Sequence, residues 1–519
     1  MPAGVAAVGG VLAVAAAVGA GQLAAAVVSP VSSPVLAVGN AVISYSPEPL
    51  TEFAKVHFGT YDKPILLCGI GVVIALVAAL AGVAARRDPR LGVVVLLVLG
   101  VLGLLAVVSA PVFSLLDVVA PTVSLAVGVG VLRWLRRLAC RAYRPSAGVA
   151  TSSAGSGGHT GVSRRTALIG SSAAVGVAAV GSGVGGLLLS GGDDRSRRAV
   201  NAAIARAKLV ERAPVPPADA AFPRWGTPSF ITANSDFYRI DVALRVPSQP
   251  ASTWRMKIHG LVDREIDLSF TDLMSRPLVE RTITLTCVSN PVNGNLISTA
   301  NFIGAELRPL LLESGVRPGA EQLFTTSIDG WTASTPIEVV MEPDRGALLV
   351  VGMNGEALPV EHGFPVRMVV PGLYGYVSGT KWLSDMELTT FGARRGYWQQ
   401  RGWAERAPIK TESRIDRPKA GASVSTGVLT CAGAAWSQPA GIASVEVRMD
   451  EGPWRPALLS SEVDGRTWRM WRADFAVAAG PHQVRCRATS ADGVTQTEVV
   501  ADPVPDGASG WPSVAFVAD

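Results

Sequence analysis

The sequence predicts a multi-domain protein: an α-helical membrane module, then an α+β domain, then an antiparallel, immunoglobulin-like β-sandwich. Three observations carry this. The 519 residues are 49% hydrophobic, and the apolar excess sits mainly in the first 190. Residues 231–410 mix short strand-like runs with helical ones. Residues 411–519 hold short alternating runs separated by Gly, Pro and Asp turns, the spacing of a sandwich.

The membrane module occupies residues 1–144. Uncharged runs at 4–28, 65–85, 91–110 and 112–132 are long enough to span a bilayer, although the last contains Asp117 and Pro121. Arginines flank them at 86, 87, 90, 133, 136 and 137. Short basic loops stay cytoplasmic, so residues 86–90 and 133–144 are expected inside and 29–64 outside. The spans lack the paired ionisable residues that mark a transport path, which disfavours a substrate carrier.

Residues 145–165 form a linker ending in a twin arginine, Arg164-Arg165, before a Gly/Ala/Val run that gives a fifth span at 166–190. The pair resembles a twin-arginine export signal, here internal; the plainer reading is a span with a basic inner flank. Either places residues 191–519 outside the cytoplasm of a multi-pass cell-membrane protein. The modest net charge of +5 therefore reads as membrane orientation, not nucleic-acid binding.

After a charged helical piece from Asp193, residues 191–410 form the α+β domain. Strands are expected at 239–246, 253–261, 281–287, 323–328, 347–352, 365–370 and 384–390, and helices at 270–275 and 305–314. No GxGxxG or Walker loop occurs, which disfavours nucleotide cofactors. In residues 411–519 the strand runs are 423–431, 444–449, 467–475, 482–490 and 495–500. Cys431 and Cys486 lie on two of them. They either bridge the sheets or stay unpaired, and spacing alone does not decide.

The five cysteines contain no CxxC pair, which argues against zinc ribbons and iron–sulfur clusters. None of the five histidines lies in an expected span, so a membrane b-type haem has no ligands there. Cys287 stands apart. The alternating run Thr282–Thr286 leads into it, and the polar turn residues Asn290, Pro291, Asn293, Gly294 and Asn295 follow. A thiol at a strand end that opens into a polar loop can bind a soft metal; the plainer reading is a packed core cysteine.

Four segments in order, ITANSDFYRID, TLTCVSN, EHGFPVRMVVPG and GTKWLSDMEL, followed by a sandwich, resemble the sulfite-oxidase family of molybdopterin enzymes. The resemblance implies a Mo-molybdopterin cofactor with Cys287 as the metal ligand. It implies cofactor contacts from Asn234, Ser235, Asp236, Phe237 and Tyr238, from Asp329, from His362 and Arg367, and from Thr380, Lys381 and Trp382. It also implies oxygen-atom transfer on a small oxyanion, a separate electron-transfer partner because no haem motif is present, and a sandwich of the kind that mediates homodimers.

Sulfite oxidisers usually carry an arginine soon after the metal-binding cysteine, where this chain has Val288, Ser289, Asn290 and Pro291. They carry a tyrosine where it has Trp331 and Thr332. Arg239 is the candidate for the missing substrate cation. Reduction of an S- or N-oxide is thus an alternative activity, and a non-catalytic membrane scaffold the alternative of another class.

Overall fold

The computed structural model describes residues 2–28, 32–46, 62–109, 115–142, 193–243 and 246–519. The linker expected at 145–165, its twin arginine and the span expected at 166–190 lie outside the described residues. The chain divides into a helical unit, to which Ala243–Ser248 also belongs, and a second unit of Asp193–Val242 with Gln249–Asp519.

The helical unit contains α1 (Ala3–Val28), α2 (Pro34–Tyr45), α3 (Asp62–Arg87), α4 (Pro89–Val108) and α5 (Val119–Ala142). Among the described residues, four helical stretches are long and apolar enough to cross a membrane: Ala3–Val28, Ile65–Arg87, Pro89–Val108 and Leu115–Cys140. Their outward faces carry Val72, Leu80, Leu102 and other large apolar side chains, the pattern of helices solvated by lipid. Between helices in lipid, burial would supply little drive for pairing, and small residues and polar contacts would supply it. A Cβ on Gly10 of α1 would collide with the Ala78 carbonyl of α3, and one on Gly82 of α3 with the Ala6 carbonyl. Ser124 Oγ of α5 donates to the Ala17 carbonyl of α1 at 2.7 Å.

The second unit opens with α6 (Asp193–Arg206) and β1 (Leu209–Glu211). Strands β2 (Arg255–Gly260), β3 (Ile266–Ser269), β4 (Leu278–Thr286), β5 (Ile297–Glu306), β6 (Gln322–Ser327), β7 (Thr332–Pro336), β8 (Leu348–Met353), β9 (Glu356–Ala357), β10 (Arg367–Val369) and β11 (Leu383–Thr389) follow. A six-stranded sheet runs β1-β4-β5-β8-β10 with β9 beside β8, and a five-stranded sheet runs β3-β2-β11-β6-β7. One apolar core, including Phe302, Leu348 and Leu388, serves both.

One expectation fails here and one shifts by two residues, each for a physical reason. Among the described residues of 239–246 no strand is assigned, positions 244–245 lie outside the described residues, and Asp241 is drawn into an ion pair with Arg239. The helix expected from 305 begins at Leu307, because β5 runs through Glu306. β5 itself is hidden in the sequence. It is buried on both faces, so ISTANFIGAE shows none of the alternation that marks a half-buried strand.

The C-terminal strands are β12 (Glu412–Arg417), β13 (Ser423–Val424), β14 (Gly427–Trp436), β15 (Ile442–Met449), β16 (Arg455–Pro456), β17 (Leu458–Leu459), β18 (Arg469–Val477), β19 (Gly480–Ser490) and β20 (Ser513–Ala518). They form a sheet β12-β14-β18-β17 and a sheet β13-β20-β19-β15-β16. Side chains of both, such as Leu429 and Phe475 from one and Val447 and Phe516 from the other, share a core. The run at 495–500 forms no strand beyond a bridge from Thr495 to Thr489; β20 pairs with β19 instead. Cys431 and Cys486 are both buried and unbridged, and Cys486 Sγ lies 3.3 Å from Ser413 Oγ.

Candidate active site

Cys287 follows the last residue of β4, and local chemistry fixes its direction. Its N–H donates to the Leu296 carbonyl at 2.9 Å, and its carbonyl accepts from Asn290 N–H at 3.1 Å. Asn290 Oδ1 accepts from Leu296 N–H at 2.8 Å, closing the loop on itself. Asn293 adopts φ 65°, a left-handed conformation that Asn tolerates, and its Oδ1 accepts from Ile415 N–H of β12 at 2.7 Å. Turn chemistry thus leaves Cys287 8% exposed, on the wall of a cleft.

The turn Ala233–Phe237 supplies a second wall. Asp236 and Phe237 N–H groups both donate to the Ala233 carbonyl at 3.0 Å, which turns Phe237 and Tyr238 inward. Phe237 meets His362 edge-on at 5.4 Å between ring centroids. His362 Nε2–H donates to the Asn234 carbonyl at 3.1 Å. Burial, reinforced by the nearby Arg367 guanidinium, pushes His362 down to about 4, so the ring is neutral and its other nitrogen accepts. Burial and the Cys287 thiol raise the Tyr238 phenol, which stays protonated.

The cations come from β10 and from the residues before β11. Arg367 is 5% exposed; its Nη1 donates to the His362 carbonyl at 3.2 Å. Its Nε has no partner, and among the described residues no carboxylate pairs with it. Burial lowers it only to about 10, so it remains charged. A buried cation without a counterion is costly unless an anion completes it. Lys381 Nζ donates to Asp241 Oδ2 at 3.1 Å and to the Glu361 carbonyl at 3.3 Å; burial lowers it to about 8. Asp241 also accepts from Arg239 Nε at 2.7 Å. Asp329 lines the cleft from the Ser327–Gly330 turn, and burial raises its carboxyl.

Of the residues expected from the sequence, Cys287, Phe237, Tyr238, Asp329, His362, Arg367, Lys381 and Trp382 line this one cleft. The others lie off its lining. Asn234 turns its side chain to Glu356 and Asn354. Ser235 and Asp236 are exposed. Thr380 Oγ1 is buried against Thr325 Oγ1 at 2.6 Å. Arg239, 42% exposed, reaches the lining only through Asp241. Sequence reasoning missed an aromatic wall of Tyr376, Trp398 and Trp403, which Trp331 extends. Trp403 packs on Tyr376 at 5.7 Å and on Trp398 at 6.1 Å. The run GYWQQRGW, residues 396–403, shows two tryptophans in a loop, but which surface they cover depends on how the loop closes.

The arrangement therefore offers a soft thiol ligand, an uncompensated buried guanidinium, a buried lysine and neutral hydrogen-bonding rings. That donor set fits a large anionic group carrying a soft metal. A family model described as "Oxidoreductase molybdopterin binding domain" matches residues 243–398. The chain is 31% identical to the sulfite oxidase of Gallus gallus over 336 residues, 55% of this chain and 71% of that protein. It is 29% identical to the mitochondrial sulfite oxidase of Homo sapiens over 328 residues, 53% of this chain and 59% of that one. An oxidoreductase of Bacillus subtilis, YuiH, is 30% identical over 150 residues, 72% of its length. Among solved structures, the sulfane dehydrogenase SoxCD of Paracoccus pantotrophus is 22% identical with a TM-score of 0.47, covering 56% of this chain and 80% of that one.

Proposed function

The chain belongs to the sulfite-oxidase family of molybdopterin oxidoreductases, and from that premise we propose that it is a membrane-anchored enzyme of oxygen-atom transfer. Its catalytic domain works outside the cytoplasm and exchanges electrons with a separate one-electron partner. The carrying observation is the coincidence, in one cleft, of the Cys287 thiol with a buried Arg367 that lacks a counterion. When bound, the molybdenum cofactor supplies the two-electron redox and oxo-transfer chemistry.

The residues divide the remaining work. Cys287, as thiolate, holds the metal. Arg367 and Lys381 neutralise the anionic part of the cofactor, and Trp382 stacks under Lys381 at 4.6 Å, keeping the ammonium in place. His362, neutral, accepts a hydrogen bond without adding repulsion to Arg367. The Tyr238 phenol donates into the cleft. The aromatic wall excludes water, which strengthens every electrostatic contact inside.

A second reading, reduction of an S- or N-oxide, is supported by that same wall. Val288 and Ser289 contribute no cation, and Asp241 already engages Arg239 and Lys381. A sulfite dianion gains little there, whereas a neutral thioether oxide packs well on indole rings. Metal analysis of the purified chain and its Cys287→Ala variant tests the enzyme reading: molybdenum is expected in the first and lost from the second. Equal absence from both supports a non-catalytic scaffold. Sulfite oxidation against methionine-sulfoxide reduction, with artificial electron carriers, separates the two activities.

A further inference from the structure

Asp241 sets a buried carboxylate on the wall of a cleft suited to an anion. A carboxylate there repels the guest unless it serves a cation. Its side chain is 5% exposed, and one oxygen, Oδ2, accepts from both Arg239 Nε at 2.7 Å and Lys381 Nζ at 3.1 Å. An ammonium has three N–H groups. Among the described residues Lys381 makes two hydrogen bonds, to Asp241 and to the Glu361 carbonyl at 3.3 Å. One N–H therefore remains for an anion while Asp241 stays in place.

The backbone beside the lysine is strained. Trp382 adopts φ 51°, a left-handed conformation unfavourable for a bulky residue. Its Nε1–H donates to the Val360 carbonyl at 2.7 Å, and its own carbonyl accepts from Ile328 N–H at 2.9 Å. Strain of this kind persists where the surroundings over-determine a position, and it clusters at ligand sites.

We propose that Asp241 is a positioning residue: its buried carboxylate keeps the Lys381 ammonium charged and aimed into the cleft before the anionic cofactor arrives. The proposal rests on the molybdopterin reading and adds to it a residue that acts through Lys381. Because Arg239 shares the same oxygen, the carboxylate steadies the lysine and leaves the group net positive. Without Asp241, Arg239, Lys381 and Arg367 would face one another uncompensated, and only the lysine sheds its proton readily. Burial lowers Lys381 to about 8; Asp241 opposes that fall, while Arg367 and Arg239 add to it. Asp329, whose carboxyl burial raises, also acts on the ammonium, and His362 beside it is neutral.

The test uses the full-length protein in detergent, made with and without the molybdenum cofactor. Acetic anhydride labelling of the cofactor-free chain, read at Lys381 by mass spectrometry against pH, is expected to show a midpoint of about 8 in the wild type. In Asp241→Asn the midpoint is expected at about 7, so that the free-amine fraction at pH ~7 rises from about one tenth to about one half. Labelling there is then about fivefold faster. Asp241→Glu keeps the charge and is expected to label as wild type; it carries the test if the Asn variant fails to fold. In the loaded protein, Asp241→Asn is expected to lose molybdenum about tenfold faster than wild type at pH ~8 and to approach it at pH ~6, where the amine is protonated unaided. In a Lys381→Met background Asp241→Asn is expected to add no further loss. Lys381 labelling unchanged by loss of the carboxylate, molybdenum loss independent of pH, or tighter retention overturns the role of Asp241 alone. A wild type that holds no molybdenum overturns the oxidoreductase reading instead.

Discussion

Arg367 is a buried cation waiting for an anion, and that gives it an unusual mutational signature. Arg367→Met is expected to leave the cofactor-free protein as stable as before, or up to about 1–4 kcal/mol more so, because an uncompensated charge is removed. Molybdenum retention is expected to fall at least about tenfold, the equivalent of roughly 1.4 kcal/mol. Thermal melts beside metal analysis check both; a large loss of apo-stability would make the arginine structural. His362 predicts a pH effect of definite sign. It stays neutral in the fold down to about 4, while in the unfolded chain it takes a proton near 6.5. Stability is therefore full above 6.5 and falls as pH drops toward 4, by up to about 3 kcal/mol. Melts of the cofactor-free protein should show this step, and His362→Phe should lack it. These residues were legible because HGFPVR and TLTC carry their chemistry in the local sequence. Tyr376, Trp398 and Trp403 were not, because their meeting depends on how the loops close.

Among elements, the loop after β4 is held by one residue in a left-handed conformation. Asn293→Gly keeps the backbone and loses the bond to Ile415, an expected cost of about 1 kcal/mol. Asn293→Ala loses the bond and adds about 1–2 kcal/mol of strain. Thermal stability and molybdenum retention should both rank wild type above Gly above Ala. In the helical unit, Gly10→Leu is expected to push α1 from α3, read as loss of folded protein in detergent. The half-buried strands β2 and β11 announced themselves by alternation. β5 did not, because a strand buried on both faces has no polar face to reveal it.

For the whole molecule, hydropathy and arginine placement made the helical region legible from composition alone, since twenty apolar residues in water have few alternatives to a membrane. The proposed orientation predicts that a reporter fused after Asp519 is active only outside the cytoplasm. Activity of a cytoplasm-only reporter there would reverse it. The sandwich was legible as a class but not in its strand list, because β20 lies beyond a turn-rich stretch while the run at 495–500 merely looks like a strand.

The Cys287 segment is fastened from the far end of the chain. Trp468 N–H donates to Thr284 Oγ1 at 2.8 Å, Gln438 Nε2 to the Thr284 carbonyl at 3.3 Å, and Ile415 N–H to Asn293 at 2.7 Å. A nascent chain still on the ribosome at residue 410 has made every residue of the cleft and none of these fasteners. Cofactor capture is therefore expected to follow translation. Stalled chains ending near 410 are expected to bind no molybdenum cofactor and released chains to bind it, an outcome that would make the C-terminal domain a checkpoint of maturation as well as a neighbour of the site.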